Sequence, residues 1–369
     1  MGMPEQSSWG GPVACEPPFV AALRRLGVEV AEETYVYGEQ LAGTSFQQRV
    51  RRVLRAARRL RQHLRREEFD VLHLNTSFDA RAILRDVTAL GLLRRATRTR
   101  IFLKFHGSDE SLLRTNDAVL RRFVRALLAR AHAIGVLSTE ERENFLRAGV
   151  SAERVFVVKN VVDGDEMSAA GEPSDASLRA RLQVADGVPL LLFIARFIPA
   201  KGLLDVIRAC AVLRERDETF RLLCVGDGPA RAEAEQEVAR LRLRPVVQFF
   251  GYVPEREAAV FYRASDVLLF PTYHYEGFPM VIFKSLAAGL PIITTRIRAA
   301  RDYLHEPDNC LWVAPRAPEE LADKITHILR RPELRAAMAA NNRALAREFN
   351  ADAVAREYFE VYKQITDSQ

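Results

Sequence analysis

The cations Arg196 and Lys201, the carboxylate Glu276 and the imidazole His106 carry most of the chemistry that this chain can offer. Arg196 and Lys201 stand five residues apart in Ile194-Ala195-Arg196-Phe197-Ile198-Pro199-Ala200-Lys201-Gly202, between an apolar run and a helical pattern. That spacing lets both reach one anion, arginine through its planar fork and lysine as a compact charge. A solvated pair of surface cations is the alternative. Glu276 lies in Pro271-Thr272-Tyr273-His274-Tyr275-Glu276-Gly277-Phe278-Pro279-Met280-Val281, ahead of a helix expected from about 279 to 288. A helix start presents backbone N–H groups and the positive end of its dipole, both suited to a diphosphate. Gly277 allows close approach, Phe278, Pro279, Met280 and Val281 continue the run of backbone donors and neighbours, and Glu276 projects at a nearby hydroxyl. An ordinary turn before a helix is the competing explanation. Val225-Gly226-Asp227-Gly228-Pro229 is a third such loop, where a structural turn is favoured over direct ligand contact. His106 ends an apolar run and is followed by Gly107, Ser108 and Asp109, which suits an active-site loop, although a histidine at a strand end also serves as a partner for nearby backbone.

These residues need a scaffold, and the pattern around them repeats strand then helix. Apolar, β-branched runs fall at 71–74, 101–105, 134–137 and 155–158, and again at 189–195, 220–225, 246–250, 267–270 and 291–294. Helical-period segments separate them, so the strands pair in parallel and the fold class is α/β with two doubly wound, Rossmann-like sheets. Ligands bind at the carboxyl ends of such strands. The Gly-, Ser-, Asp- and Glu-rich stretch at 163–187 connects the two, giving domains at 1–165 and 166–351. A last helix at 352–369, with Val354, Tyr358, Phe359, Val361 and Tyr362 at helical spacing, needs an apolar surface and docks back on the first domain. Ser7-Ser8-Trp9-Gly10-Gly11-Pro12 stands as a glycine loop where an opening strand normally precedes it, so the first strand is expected to be missing, with a start recorded too far downstream as the preferred explanation.

With 369 residues, 48% hydrophobic and 28% charged, the chain has enough apolar surface for two cores, which excludes disorder over most of its length. Its apolar runs are far shorter than the ~20 residues that span a bilayer. Met1-Gly2-Met3-Pro4-Glu5 lacks a signal layout, so a cytoplasmic location is expected. Cys15, Cys210, Cys224 and Cys310 form no CxxC pair, and neither a metal site nor a disulfide framework is expected. The net charge of +6 owes much to the 49–66 segment, which holds nine arginines. Val50, Val53, Leu54, Ala57, Leu60 and Leu64 recur there at helical spacing, so the segment is an amphipathic helix. Packing on the first sheet accounts for its apolar stripe, and its cationic face suits an anionic membrane surface. Nucleic acid is not expected as a partner, because no aromatic residues are interleaved for base stacking.

Together these loops resemble the family-4 retaining glycosyltransferases of the GT-B fold, most strongly over 188–334. The Arg196 to Lys201-Gly202 segment, Gly226-Asp227-Gly228-Pro229, Asp266-Val267-Leu268 leading to Pro271-Thr272, Glu276-Gly277-Phe278, and Ala287-Ala288-Gly289-Leu290-Pro291 all match the family pattern. In the first half, Trp9-Gly10-Gly11-Pro12 is similar to the family's glycine loop and Phe105-His106-Gly107 to its histidine loop. Ser138 and Glu140 resemble a helix start after a strand, and Asn160-Val161-Val162-Asp163 resembles the hinge. The resemblance implies two Rossmann-like domains facing a cleft. A nucleotide-diphosphate sugar is held by the second, and a saccharide or lipid-linked acceptor by the first, with Gly10 and Gly11 on the acceptor side. It implies transfer with retained configuration and neither metal nor cofactor. Arg196 and Lys201 would neutralise the leaving diphosphate, amides from Gly277 to Val281 would hold phosphate and sugar oxygens, Glu276 a sugar hydroxyl, and His106 would contact the sugar. Surface polysaccharide or glycolipid assembly at the inner membrane face is the implied setting.

The chain departs from the family around the donor pocket. Lys284 stands eight positions after Glu276, where a second glutamate usually accepts hydrogen bonds from the nucleotide ribose. Lysine has only donors. Arg298 and Ala299 replace paired glycines, and Cys310 replaces a glycine after Asn309. Either the donor binds differently, with Lys284 or Arg298 adding cationic contacts, or catalysis is lost and a GT-B protein that binds nucleotide or sugar without transfer remains. A nucleotide-sugar epimerase is disfavoured by the Glu-Gly-Phe loop.

Overall fold

Strands buried on both faces of a parallel sheet need continuous apolar runs. Leu190–Ile194 and Val267–Phe270 are of that kind, with every residue buried. The computed structural model describes residues 1–4, 11–35, 45–93, 99–162, 164, 167 and 178–367. The chain divides into two units, Met1–Val161 with Ala351–Gln369, and Val162–Asn350. The divisions fall slightly ahead of those expected at 165 and 351. Asp163 and 168–177 of the connecting stretch lie outside the described residues.

In the first unit the elements are β1 (Gly2–Met3), α1 (Gly11–Arg25), β2 (Glu33–Thr34), α2 (Phe46–Arg66), β3 (Val71–Phe78), α3 (Ala80–Leu93), β4 (Arg100–Ser108), α4 (Ala118–Leu128), β5 (Ala133–Val136), α5 (Thr139–Arg147) and β6 (Val155–Val157). The second unit holds β7 (Leu190–Ile194), α6 (Leu203–Glu215), β8 (Arg221–Val225), α7 (Arg231–Arg240), β9 (Val247–Gly251), α8 (Glu255–Ala264), β10 (Val267–Phe270), α9 (Met280–Ala288), β11 (Ile292–Thr294), α10 (Arg298–Tyr303), β12 (Cys310–Trp312), α11 (Pro318–Leu329) and α12 (Pro332–Ala346). The last helix, α13 (Ala351–Asp367), belongs to the first unit. The two sheets run β2-β1-β3-β4-β5-β6 and β12-β11-β10-β7-β8-β9, and their pairings are parallel. Both doubly wound sheets are therefore present.

One expectation is corrected. The first strand is not missing: Gly2 and Met3 form β1 between β2 and β3, with Gly2 opposite both Glu33 and Leu74. Two residues are too few to register as an apolar run. The position also demands a small residue, because a Cβ on Gly2 would meet Leu74 Cδ2 at 2.9 Å and Tyr35 Cβ at 3.1 Å.

The reversal of strand order matters most for function. In the second sheet the chain winds outward from β7 through β8 and β9, then restarts on the other side of β7 with β10. The loops that leave β7 and β10 are thereby neighbours at the carboxyl edge, the place where open α/β sheets bind ligands.

Helix α13 covers an apolar surface of its own unit. Tyr358 is fully buried, packs 4.6 Å from the Phe19 ring of α1 and stacks on His73 of β3 at 5.9 Å. Helix α2 begins with a capping box, Ser45 accepting from Gln48 N at 3.3 Å while Gln48 accepts from Ser45 N at 2.9 Å. Ala56, Ala57, Leu60 and Leu64 bury its apolar stripe in the first core, whereas Arg51, Arg55, Arg58, Arg65 and Arg66 face solvent. Among the described residues no helix is long and apolar enough to cross a membrane. All four cysteines are buried free thiols.

Candidate active site

In the second unit, the loops leaving β7 and β10 are tied by backbone and side-chain bonds to the short turn Pro199–Lys201. Tyr273 N donates to Ala200 O at 2.8 Å, Thr272 Oγ1 donates to the same oxygen at 3.2 Å, and Tyr273 Oη donates to Pro199 O at 2.9 Å. This stitching sets Lys201 against Glu276, and the two form a salt bridge. The Lys201 ammonium also lies 5.4 Å from the centroid of the Phe270 ring, a favourable cation–π placement. Arg196, on the same loop, is exposed.

His274 draws the surrounding charges together. Burial lowers its pKa, and the positive charge of Lys201, with those of Arg196 and Arg298, lowers it further against the opposing charge of Glu276. One imidazole thus senses four charged side chains, from the loops after β7 and β10 and from the start of α10. Sequence reasoning passed over His274, although its place two residues before Glu276 was the available signal.

Gly226 has a structural explanation. Its φ is +132°, and a Cβ there would sit 1.9 Å from Ala195 O. The loop after β8 therefore packs directly under the loop that carries Arg196, and Phe197 N donates to Asp227 O at 2.8 Å to hold it there. The glycine supports the Arg196 loop from below.

Helix α9 begins after Pro279, and no side chain caps it among the described residues. Gly277, Phe278 and Pro279 are buried, and Phe278 stacks face to face on Phe283 at 3.6 Å. That aromatic pair packs the residue ahead of the helix onto its first turn. Lys284 is buried on α9 and forms a salt bridge with Glu255 of α8. Its charge is thus matched by a carboxylate within the chain. Arg298 is buried at the start of α10, with φ +32° and its guanidinium 5.0 Å from the Tyr275 ring centroid. Cys310 is buried on β12 opposite Ile292.

In the first unit, His106 lies at the end of β4 above a buried polar cluster. Its Nε2 is 2.8 Å from Asn75 Oδ1 and 3.4 Å from Glu16 Oε1. The same carboxylate oxygen accepts from Lys104 Nζ at 2.8 Å, with both side chains almost wholly out of solvent. Burial alone would raise the Glu16 pKa, but the Lys104 charge and the His106 hydrogen bond outweigh it and hold the carboxylate below its usual range. Lys104 is correspondingly raised, the Glu16 charge overcoming the burial that opposes it. Burial, then the Lys104 charge, lowers His106 to about 4 despite Glu16. Burial likewise lowers His73 to about 3, and its Nδ1 lies 2.5 Å from Tyr362 Oη. Cys15, Glu16 and His106 bring three ligand-type atoms within 4.8 Å of one another. The Lys104 ammonium already supplies the positive charge that this carboxylate needs, so the trio belongs to an ion-pair pocket.

Glu16, Asn75 and Lys104 were not anticipated. Lys104 did carry a signal, since a lysine inside the apolar run 101–105 has to find an anionic partner once buried. Glu16 carried none. Trp9 and Gly10 lie outside the described residues, and Gly11 opens α1, the helix that delivers Glu16. Ser138 caps α5, accepting from Glu141 N at 3.2 Å.

Two family models match in tandem, Glycosyltransferase Family 4 over residues 18–166 and Glycosyl transferases group 1 over residues 174–345. The chain belongs to the family-4 glycosyltransferases of the GT-B fold. It is 26% identical to an alpha-D-kanosaminyltransferase of Streptomyces kanamyceticus, over 68% of this chain and 65% of that protein. A 2-deoxystreptamine glucosyltransferase of the same organism is 33% identical over 61% of this chain and 58% of its own length. The chain thus spans less than two thirds of these curated relatives. Among solved structures, Anabaena Alr3699/HepE in complex with UDP and glucose aligns with a TM-score of 0.75 at 20% identity, over 97% of each chain. That likeness is one of fold.

Of the positions where the sequence departs from the expected pattern, Lys284, paired with Glu255, has the clearest energetic consequence. Replacing Lys284 by glutamate sets two carboxylates side by side, one of them buried. Because Glu255 is 60% exposed and partly screened by water, the expected cost is about 1–2 kcal/mol. Urea unfolding of Lys284→Glu should show that loss, and the exchanged pair Glu255→Lys with Lys284→Glu should recover most of it. Equal stability of Lys284→Glu and the parent would show that the pair does not hold in solution.

Proposed function

We propose that the protein is a retaining glycosyltransferase that moves a hexosyl group from a nucleotide-diphosphate sugar to a saccharide or lipid-linked acceptor, with no metal in the step. The observation that carries this reading is the Lys201–Glu276 contact at the point where the second sheet reverses its strand order, with Arg196 on the same loop. As the bond from the anomeric carbon to the diphosphate breaks, the bonding electrons leave with the diphosphate. Negative charge grows there, and cations already in place stabilise it more than they stabilise the ground state. Lys201 and Arg196 supply those cations, the backbone N–H groups of Gly277, Phe278, Met280 and Val281 at the start of α9 add neutral donors, and Glu276 accepts from a sugar hydroxyl. His106 contacts the sugar. UDP and glucose in the Anabaena relative, and the sugar-transfer names of the two Streptomyces proteins, support this donor class.

Helix α2 supports a lipid-linked acceptor. Among the described residues six arginines of α2 are exposed, with Val50 40% exposed beside them, and they suit an anionic lipid surface, where each basic residue contributes about 1 kcal/mol. The protein then works in the cytoplasm at the inner membrane face, in surface polysaccharide or glycolipid assembly.

Incubation with a panel of nucleotide-sugars and saccharide acceptors, in the presence of a chelator, should give product whose anomeric configuration by NMR matches the donor. Arg196→Ala and Lys201→Ala should each lower kcat/KM by roughly 10²–10³-fold. Binding of a nucleoside diphosphate without any transfer would favour the non-catalytic alternative. In co-sedimentation, vesicles containing phosphatidylglycerol should retain the protein and release it at high salt, whereas Arg55→Glu with Arg58→Glu should abolish retention. Equal binding to purely zwitterionic vesicles would remove the membrane from the account.

A further inference from the structure

We propose that Asn75 and Glu16 are positioning residues that hold His106 as the Nε2–H tautomer, leaving Nδ1 as the lone-pair nitrogen that accepts a hydrogen bond from a sugar hydroxyl. The proposal rests on the transferase reading for its last clause only. The first clause follows from bonding. Asn75 Nδ2 donates to Gly2 O at 3.1 Å, which fixes the amide so that its oxygen faces the imidazole. His106 Nε2 therefore meets two acceptors, Asn75 Oδ1 at 2.8 Å and Glu16 Oε1 at 3.4 Å. A ring nitrogen placed between two acceptors carries the proton, and in a neutral imidazole the other nitrogen is then the acceptor.

Neutrality is enforced by the remaining neighbours. Lys104, two residues back on β4, occupies the Glu16 carboxylate at 2.8 Å and holds its ammonium between the rings of Phe19 and Tyr358, 5.7 and 5.3 Å from their centroids. A second proton on His106 would place a second buried cation beside this one. From α1 the cluster receives Glu16 and the Cys15 thiol, whose pKa burial raises. From β3 come Asn75 and His73, the latter neutral because burial lowers its pKa. From α13 come Tyr358 and Tyr362, and burial raises the Tyr362 phenol. Lys104 and Glu16 are the charged pair, and they neutralise each other. His106 consequently stays uncharged through the neutral range, consistent with its pKa near 4. It can accept from a hydroxyl through Nδ1 but cannot lend positive charge to the reaction.

Ring-nitrogen NMR on the full chain tests this without any substrate. His106 should show the Nε2–H pattern, unchanged between about pH 5.5 and 9. Removing the ammonium by Lys104→Met leaves Glu16 to charge the imidazole, and the His106 titration should rise by about one to three pH units. The double change Lys104→Met with Glu16→Gln removes both charges, keeps the fold in case the single variant loses it, and should return His106 to the neutral, non-titrating form. In transfer assays the parent's kcat/KM should show no ionisation on the acid side from this group. Lys104→Met should acquire an inflection at the NMR midpoint and fall about tenfold per pH unit below it. A parent His106 that titrates near its ordinary value, or that carries its proton on Nδ1, overturns the proposal. An NMR result as expected with no new inflection in the variant overturns the acceptor role while leaving the tautomer intact, and absence of any transfer in the parent counts against the transferase reading.

Discussion

The contact between Lys201 and Glu276 is the constraint on which the chemistry proposed for the second unit depends. The two residues are far apart in sequence, and they meet because the sheet reverses its winding between β7 and β10. The meeting is held by three bonds from Tyr273 and Thr272 to the turn before Lys201, and from beneath by the Gly226 turn, which tolerates no side chain against Ala195. Without a ligand, the ammonium and the carboxylate satisfy each other. In the proposed reaction a diphosphate takes over the ammonium and a sugar hydroxyl takes over the carboxylate, so both charges are positioned before the donor arrives. Preorganisation of this kind favours the transition state, because little rearrangement is left to pay for at the moment of bond breaking.

Opposite charges paired inside the fold recur elsewhere. Lys104 with Glu16 lies in the first unit, and Lys284 with Glu255 in the second. A buried ion is tolerated only when its partner and hydrogen bonds offset the loss of hydration. In both cases the pair joins different elements, β4 to α1 and α9 to α8. The second pair involves Lys284, at the position where the sequence resemblance led to the expectation of a glutamate, and a carboxylate from the neighbouring helix stands next to it.

Much of the fold was legible because parallel strands announce themselves as unbroken apolar runs. The run at 189–195 became a strand over 190–194 and the run at 267–270 a strand over those residues, and the arginine-rich segment became α2. Strand β1 escaped notice because two residues make no periodic signal, and its identity as a strand depends on partners at Glu33 and Leu74. At the site, Arg196, Lys201 and Glu276 were legible from their loops, since strand ends followed by glycine are short-range features. Their neighbours were not. Glu16 reaches His106 from ninety residues upstream, and Glu255 reaches Lys284 from another helix. Such pairings are set by packing of helices on the sheet, which spacing along the chain does not encode. Gly226 was legible as a turn, and the close approach to Ala195 supplies the reason for it.

The central claim is that the second unit offers a preformed cationic seat for a departing diphosphate. Calorimetric titration of the full chain with a panel of nucleoside diphosphates addresses it most directly. The account predicts that at least one binds with a defined dissociation constant. It also predicts that Lys201→Met weakens that binding by at least about tenfold, equivalent to roughly 1.4 kcal/mol, while the fold is retained. Absence of binding by every nucleoside diphosphate, or undiminished affinity in Lys201→Met, would contradict it.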